Sequence, residues 1–501
     1  VYEQVPYPEL VHPHTHPDRL AVVATLLGMK PARVDRCRVL ELGCGPAANL
    51  MAMAEGLPGS RFVGIDNSPS HVRRANSVVA RLGLKNVRVL EQDIRSPDDD
   101  APFDYVIAHG VYSWVEADVR AALLRTTARV LNDHGIAVVS YNTYPGWYML
   151  RPIRDMMMFH GRDERDGLTR VARAHEILEF LVGKLDPQSN LYAANLAAYR
   201  HAMEQRSMLD HADRDASLLH DELAPVNDPV FFHEFIRAAT ECGLQYVAEA
   251  DLRGSTSAGL NPSTVRDLKK MASDLISLEQ YMDFLTNRAF RQTLLCRAGV
   301  ALRRTVSASV DSVMSFHVSS DGADVASARL PIADDEPLTK AAFSVLGAVF
   351  PRSLSWSELM REASRHVERA GGAIAEGAGD VLAGSLLRCF AADRSLVALS
   401  STPDRFVTTV SERPVVSGLV RLLAAEGHLT VPSRKHDRIT LDPTAARVVP
   451  FLDGTRDLEE VRTIHDRLRA DAASEAGKED SAPGAFDSLM AWLARSALLE
   501  S

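Results

Sequence analysis

The chain has 501 residues, of which 46% are hydrophobic and 24% charged, with a formal net charge of -10. That is the composition of an ordinary globular protein too long for one core, so about two to four domains are expected. The acidic balance argues against a nucleic-acid partner, and the lack of a run of about 18 apolar residues argues against stable membrane insertion. Residues from Val1 onward lack the pattern of a signal peptide, so a cytoplasmic protein is expected.

The first 145 residues alternate strand and helix. Strands are expected at Arg38 to Glu41, Phe62 to Asp66, Val87 to Gln92, Tyr105 to Ala108 and Ile136 to Tyr141. Ser68-Pro69 starts a helix, and Asn132-Asp133-His134-Gly135 reads as a turn before the fifth strand. This order requires a parallel sheet covered on both faces. After Gly146 the pattern is helical for about eighty residues. Leu168, Val171, Ala172, Ile177, Leu178 and Leu181 keep a 3.6-residue period, Asp186-Pro187 interrupts it, and a further helix covers Tyr192 to Met203. Such an insertion would lie over the carboxyl ends of the strands as a lid, which also accounts for Met156-Met157-Met158 as packing residues. A helix at Val230 to Glu241 and strands at Leu244 to Ala248 and Phe290 to Arg297 then complete the sheet.

Beyond residue 305, helices at Leu338 to Phe350, Trp356 to Arg365 and Val381 to Phe390 precede a hairpin-like pair at Leu396 to Ser400 and Phe406 to Thr409. A weaker version recurs in Val416 to Ala425, Ile439 to Leu441, Thr444 to Leu452, Asp457 to Leu468 and Phe486 to Leu499, with Asp471 to Gly484 as a polar loop. Both read as winged-helix-like modules. The expected division is 1–147 for a Rossmann-like core, 148–228 for the lid, 229–305 for the rest of the core, 306–412 for a middle module and 413–501 for a C-terminal one. The five cysteines are widely spaced without C-x-x-C, and His12-Pro13-His14-Thr15-His16 has no second cluster, so neither disulfides nor a metal is expected.

The chemistry is concentrated in Val39-Leu40-Glu41-Leu42-Gly43-Cys44-Gly45-Pro46-Ala47-Ala48, which runs into a helix and a second strand ending in Asp66. A strand, a glycine turn, a helix and a distal acid form a nucleotide-binding βαβ unit. A dinucleotide fits poorly. Pro46 removes a backbone donor where a pyrophosphate needs one, and Glu41 would repel a diphosphate while accepting an ammonium. A ligand with an ammonium at one end and a ribose at the other satisfies both acids, and S-adenosylmethionine (SAM) is such a ligand. The acid-x-Gly-x-Gly pattern resembles the first motif of class I SAM-dependent methyltransferases, with Ala47 in place of their last glycine.

Longer strings extend the resemblance. Tyr2 to Pro8, Thr15 to Leu20, Ala108-His109-Gly110-Val111-Tyr112-Ser113-Trp114-Val115 and Tyr141 to Trp147 are similar to bacterial methyltransferases carrying a methyltransferase regulatory domain. So are Leu219 to Leu223, Pro225 to Pro229 and Glu279 to Leu285. The best characterised of these relatives are the rickettsial protein lysine methyltransferases. The resemblance implies a seven-stranded, doubly wound methyltransferase sheet with a helical lid, followed by two small α+β modules.

It also implies that Glu41, Gly43 and Gly45 hold the methionine end of SAM, Asp66 the ribose, and Asn67 the adenine edge, with Asp93, Ile94, His109 and Gly110 completing the cofactor site. The alternative for Asp93, with Asp98, Asp99 and Asp100, is a polar loop. For the acceptor side, His109 is a candidate proton acceptor. Tyr112, Trp114, Asn142, Tyr144 and Trp147 are candidate channel walls, with core packing as their alternative. Tyr2, Tyr7, His16 and Asp18 form either an N-terminal flap or, with Thr15 as cap, a helix start. The expected activity is N-methylation of a protein or peptide, foremost at lysine. A small-molecule N- or O-methyltransferase and a SAM-sensing or DNA-binding regulator are the alternatives.

Overall fold

The computed structural model describes residues 9–95, 102–205, 211–252, 261–306, 309–322, 336–393, 395–476 and 485–500. Seven strands, β1 (Arg38–Leu42), β2 (Arg61–Asp66), β3 (Val87–Glu91), β4 (Phe103–Ala108), β5 (Leu131–Asn142), β6 (Leu244–Glu249) and β7 (Phe290–Arg297), form one sheet in the order 3-2-1-4-5-7-6. Only β7 runs antiparallel to its neighbours. In β1 every residue from Val39 to Leu42 is buried, as a central strand covered on both faces requires. Strand order reverses between β1 and β4, and a parallel sheet opens a crevice at the carboxyl ends beside such a reversal.

Helices α1 (Pro17–Leu26), α2 (Ala48–Gly56) and α3 (Pro69–Leu82) cover one face. On the other lie α4 (Ala117–Val130) and, later in the chain, the helix at Phe232–Glu241. Ser68 caps α3 and Gly83 ends it at a φ of +65°; a cap of this type is worth about 1 kcal/mol. Between the two parts of the sheet, α5 (Gly146–His160), α6 (Gly167–Lys184), α7 (Leu191–Gln205) and α8 (His211–Ser217) form the helical insertion. It has its own core, including Ile153, Met157, Leu178, Leu196 and Leu219. The sheet resumes with α9 (Phe232–Glu241), followed by α10 (Pro262–Met271) and α11 (Leu275–Thr286).

Arg291 on β7 is a fully buried cation. Its guanidinium donates to Glu249, Glu279 and Asp283, and it lies 3.8 Å from the Phe232 ring centroid. The network pins α11 against the last two strands.

Residues beyond 305 form two further α+β units. In the first, helices Pro337–Val349, Trp356–Arg369 and Ala378–Ala392 pack on a small sheet made of His317–Ser319, Leu354–Ser355 and Ala398–Ser400. The second contains Gly418–Ala425, a hairpin of Thr430–Pro432 with Arg438–Thr440, Pro443–Val448, Leu458–Ala476 and Ala485–Arg495. Its core is continuous with that of the sheet, since Leu419, Val420 and Leu423 share a buried cluster with Leu50, Met53 and Val72. Among the described residues no helix is long and apolar enough to cross a membrane.

Four local expectations are corrected. Residues 132–135 belong to β5, with an irregular register opposite Phe103 and Tyr105, because Asn132 donates to Asp104 and ties the segment to the sheet. Ala398–Ser400 pairs with His317–Ser319 rather than with 406–409, so the hairpin is not local. The cap of α1 is His16, whose Nδ1 accepts the Asp18 N–H, while Thr15 donates to the His12 carbonyl. The helix at Leu458 continues to Ala476 through part of the expected polar loop.

Candidate cofactor and acceptor site

The carboxyl ends of β1, β2 and β4 surround a cleft of about 490 Å³ lined by Glu41, Gly43, Gly45, Asp66, Asn67, Asp93, Ile94, His109, Gly110 and Trp114. All nine residues expected to hold the cofactor therefore converge from separate parts of the chain. Gly43 makes the approach possible: its φ is +72°, and a Cβ there would meet Val111 Cγ2 at 2.6 Å. Cys44 is chosen by size, since its Sγ occupies the space a Cβ on Gly64 would need. Ala47 stands where the usual glycine would, and it adopts a left-handed conformation with φ of 62°, at some conformational cost.

Asp66 is anchored as well as presented. Its Oδ2 accepts the Gly45 N–H at 2.8 Å and its Oδ1 the Ser68 N–H at 2.9 Å. Burial works to raise its pKa, but hydrogen bonding from His71, Ser68 and Gly45 prevails and holds it below the usual range. A charged carboxylate accepting backbone donors keeps lone pairs for ribose hydroxyls.

Glu41 is different. It is buried, and Oε1 accepts the Asn49 amide at 2.7 Å, while Oε2 is buried with no hydrogen-bond partner among the described residues. Burial pushes its pKa up to about 7 despite the Asn49 hydrogen bond, and the nearby Asp66 charge adds to the rise. A buried carboxylate with one unengaged oxygen beside a glycine turn suits an ammonium group, so the residues present fit SAM.

Asp93 lies at the cleft but engages Arg95, which donates from its backbone and guanidinium at 2.6–3.0 Å. That pairing, foremost its side-chain hydrogen bond, lowers the Asp93 pKa. His109 also lines the cleft, with its ring centroid 4.0 Å from that of His12. Burial, with Arg438 and His14, lowers its pKa to about 3. That direction favours the neutral imidazole and speaks against His109 as a proton acceptor near neutrality.

The acceptor candidates divide. Trp114 lines the cleft and its Nε1 donates to the Asp221 carbonyl at 3.1 Å. Tyr112 does not line it: its ring is buried edge-on to Tyr141 and Phe235. Tyr144 stacks on Tyr148 outside the cleft, and Trp147 is buried in α5. Asn142 is a bolt, its side chain donating to Asn227 and its carbonyl accepting the Val230 N–H. This bolt holds the end of the insertion, where a π-helical turn at Leu218–Glu222 and the following loop bring His220, Asp221 and Val226 to the cleft.

Of the N-terminal flap, Tyr2 and Tyr7 lie outside the described residues. His16 and Asp18 are not in the cleft; Asp18 accepts hydrogen bonds from Ser401. Glu9, Leu10 and His12 line the cleft instead. Sequence reasoning also missed Asn49, although a lone amide among the apolar residues of Ala48-Asn49-Leu50-Met51 was a visible signal.

Residues 39–135 match a methyltransferase domain, 214–297 a predicted methyltransferase regulatory domain, and 412–484 the C-terminal winged helix domain of PKMT. An uncharacterised protein of Rickettsia prowazekii (strain Madrid E) is 36% identical over 318 residues, covering 63% of this chain and 56% of the relative. The chain thus spans little more than half of that relative's length. A second protein of the same organism is 33% identical over 239 residues, which is 48% of this chain and 93% of the relative. The structure of PKMT2 from Rickettsia typhi in complex with AdoHcy superposes with a TM-score of 0.81 at 25% identity, covering 99% of this chain and 100% of that one.

Proposed function

We infer the chemistry from membership: the chain belongs to the SAM-dependent methyltransferases that carry a methyltransferase regulatory domain, and SAM is its cofactor. We propose that the acceptor is an amine of a protein or peptide, with lysine first. The observation that carries this reading is the aromatic and acidic part of the cleft lining. Trp114 presents an aromatic ring beside Glu116 and Asp221 in the same cleft, an arrangement suited to attracting an alkylammonium. The resemblance to PKMT2 and to the PKMT winged helix supports a macromolecular acceptor.

When bound, SAM supplies an electrophilic methyl carbon. Glu41 would hold its ammonium, Asp66 its ribose hydroxyls, and Asn67 and Ile94 its base. The protein's remaining tasks are to align the acceptor nitrogen, exclude water and present that nitrogen neutral. A free lysine has a pKa of about 10.4, and desolvation against Trp114 and Val226 lowers it toward the working pH. Desolvation lowers the His109 pKa, so the reading assigns the acceptor's proton to solvent before transfer rather than to this imidazole.

Incubation of the full chain with SAM and a bacterial proteome, followed by mass spectrometry, tests the reading. Successive single-methyl increments on lysine peptides are expected; transfer only to small metabolites would overturn it. The regulator alternative is disfavoured by the wing of the C-terminal unit, whose Arg434 and Arg438 bond to Glu500 and the Val11 carbonyl rather than facing outward together.

A further inference from the structure

The tip of the C-terminal hairpin, between Pro432 and Arg438, is inserted against the methyltransferase core. Arg19 donates to the Lys435 carbonyl and to Asp437, Arg438 donates to the Val11 carbonyl and His12 Nδ1, and His436 is buried with φ of 61°. None of these hairpin residues lines the cofactor cleft. His436 nevertheless reaches it through one intermediate. Its Nε2 lies 2.9 Å from Asn49 Oδ1, and Asn49 Nδ2 donates to Glu41 at 2.7 Å.

The chemistry of an amide makes this contact directional. Asn49 Oδ1 can only accept, so the His436 nitrogen donates to it, as does the His12 N–H at 2.8 Å. Turned over, the amide would set its NH₂ against the His12 backbone N–H and its oxygen against the Glu41 carboxylate. The His12 N–H and the His436 ring on Oδ1, with the Thr15 hydroxyl accepting from Nδ2 at 3.1 Å, fix the amide so that its N–H points at Glu41 Oε1, leaving Oε2 for the ligand. We propose that His436 is a positioning residue for the cofactor, contributed by the C-terminal winged helix, which orients Asn49 and through it the Glu41 carboxylate that receives the SAM ammonium. The proposal rests on the reading of Glu41 as the ammonium acceptor.

Calorimetry on the full chain tests it with two ligands, SAM and 5′-methylthioadenosine, which keeps the nucleoside and lacks the amino-acid end. His436→Leu is expected to weaken SAM about 5- to 10-fold, the size of one lost hydrogen bond, and to leave methylthioadenosine within about twofold. His436→Gln, which keeps a donor at similar reach, restores SAM binding. In a Glu41→Gln background, His436→Leu adds less than about twofold, because coupled neighbours are not additive. Equal loss for both ligands, or wild-type SAM affinity in His436→Leu, overturns the proposal. Unchanged SAM affinity in Glu41→Gln alone overturns the cofactor reading instead, so the two failures are distinct. Should His436→Leu not fold, His436→Phe, a ring of similar size without the donor, is read by the same criteria.

Discussion

Asp66 accepts the Gly45 backbone N–H at 2.8 Å, so the last residue of β2 and the glycine turn after β1 form one unit. The acid sets the shape of the turn while offering its remaining lone pairs to a ribose. One carboxylate thus serves both backbone geometry and ligand recognition.

Asp66→Ala is therefore expected to reduce SAM affinity about 10- to 100-fold, the range for losing charge-assisted hydrogen bonds, as read by calorimetry. Undiminished binding would remove Asp66 from the ribose site. Asp66→Asn should fall between, since its oxygen can still accept from Gly45 but carries no charge.

The raised pKa of Glu41 gives a signed pH dependence. Its folded value of about 7 lies above the ordinary glutamate value of 4.5, so the unliganded fold has this group's full contribution below 4.5 and loses it as pH rises through 7. The shift corresponds to at most about 3 kcal/mol. SAM affinity should move oppositely, rising from about pH 6 to about pH 8 as the carboxylate ionises to meet the ammonium. Glu41→Gln should flatten both profiles in thermal melts and titrations. A mutant that keeps the wild-type slopes would locate the titration elsewhere.

The two aromatic residues after β4 should separate by assay. Trp114→Ala is expected to lower kcat/KM for a lysine peptide about 10-fold, because the ring lines the cleft and fixes Asp221. Tyr112→Phe should stay within about twofold, since its ring packs in the core. The reverse order would return Tyr112 to the acceptor channel.

Arg291→Met should destabilise the chain by about 3–5 kcal/mol in urea unfolding, because it takes the buried guanidinium away from Glu249, Glu279 and Asp283, of which Asp283 keeps Arg288. Glu279, already pushed up to about 7 by burial, would be the first of these to take up a proton. A shift of less than about 1 kcal/mol would mean the network relaxes to admit water.

Several cleft-lining residues were legible because their signals are local. Glu41, Gly43, Gly45 and Asp66 occur where strand periodicity stops and a turn begins, and backbone geometry there dictates which residue types fit. Tyr112, Tyr144 and Asn142 looked alike as polar or aromatic residues after strands. Only packing separates a ring in the core from one at a cleft.

The sequence by itself determined the α/β layout, the turn chemistry and the donor, since these depend on residues near one another or on a pattern with a fixed period. It also located the helical insertion. The tertiary structure decided that His109 stands against His12, that Asp93 pairs with Arg95, and that Asn49 lies between Glu41 and His436. Each of these depends on burial or on the exact pairing of side chains, in one case across hundreds of residues, and neither composition nor periodicity carries that information.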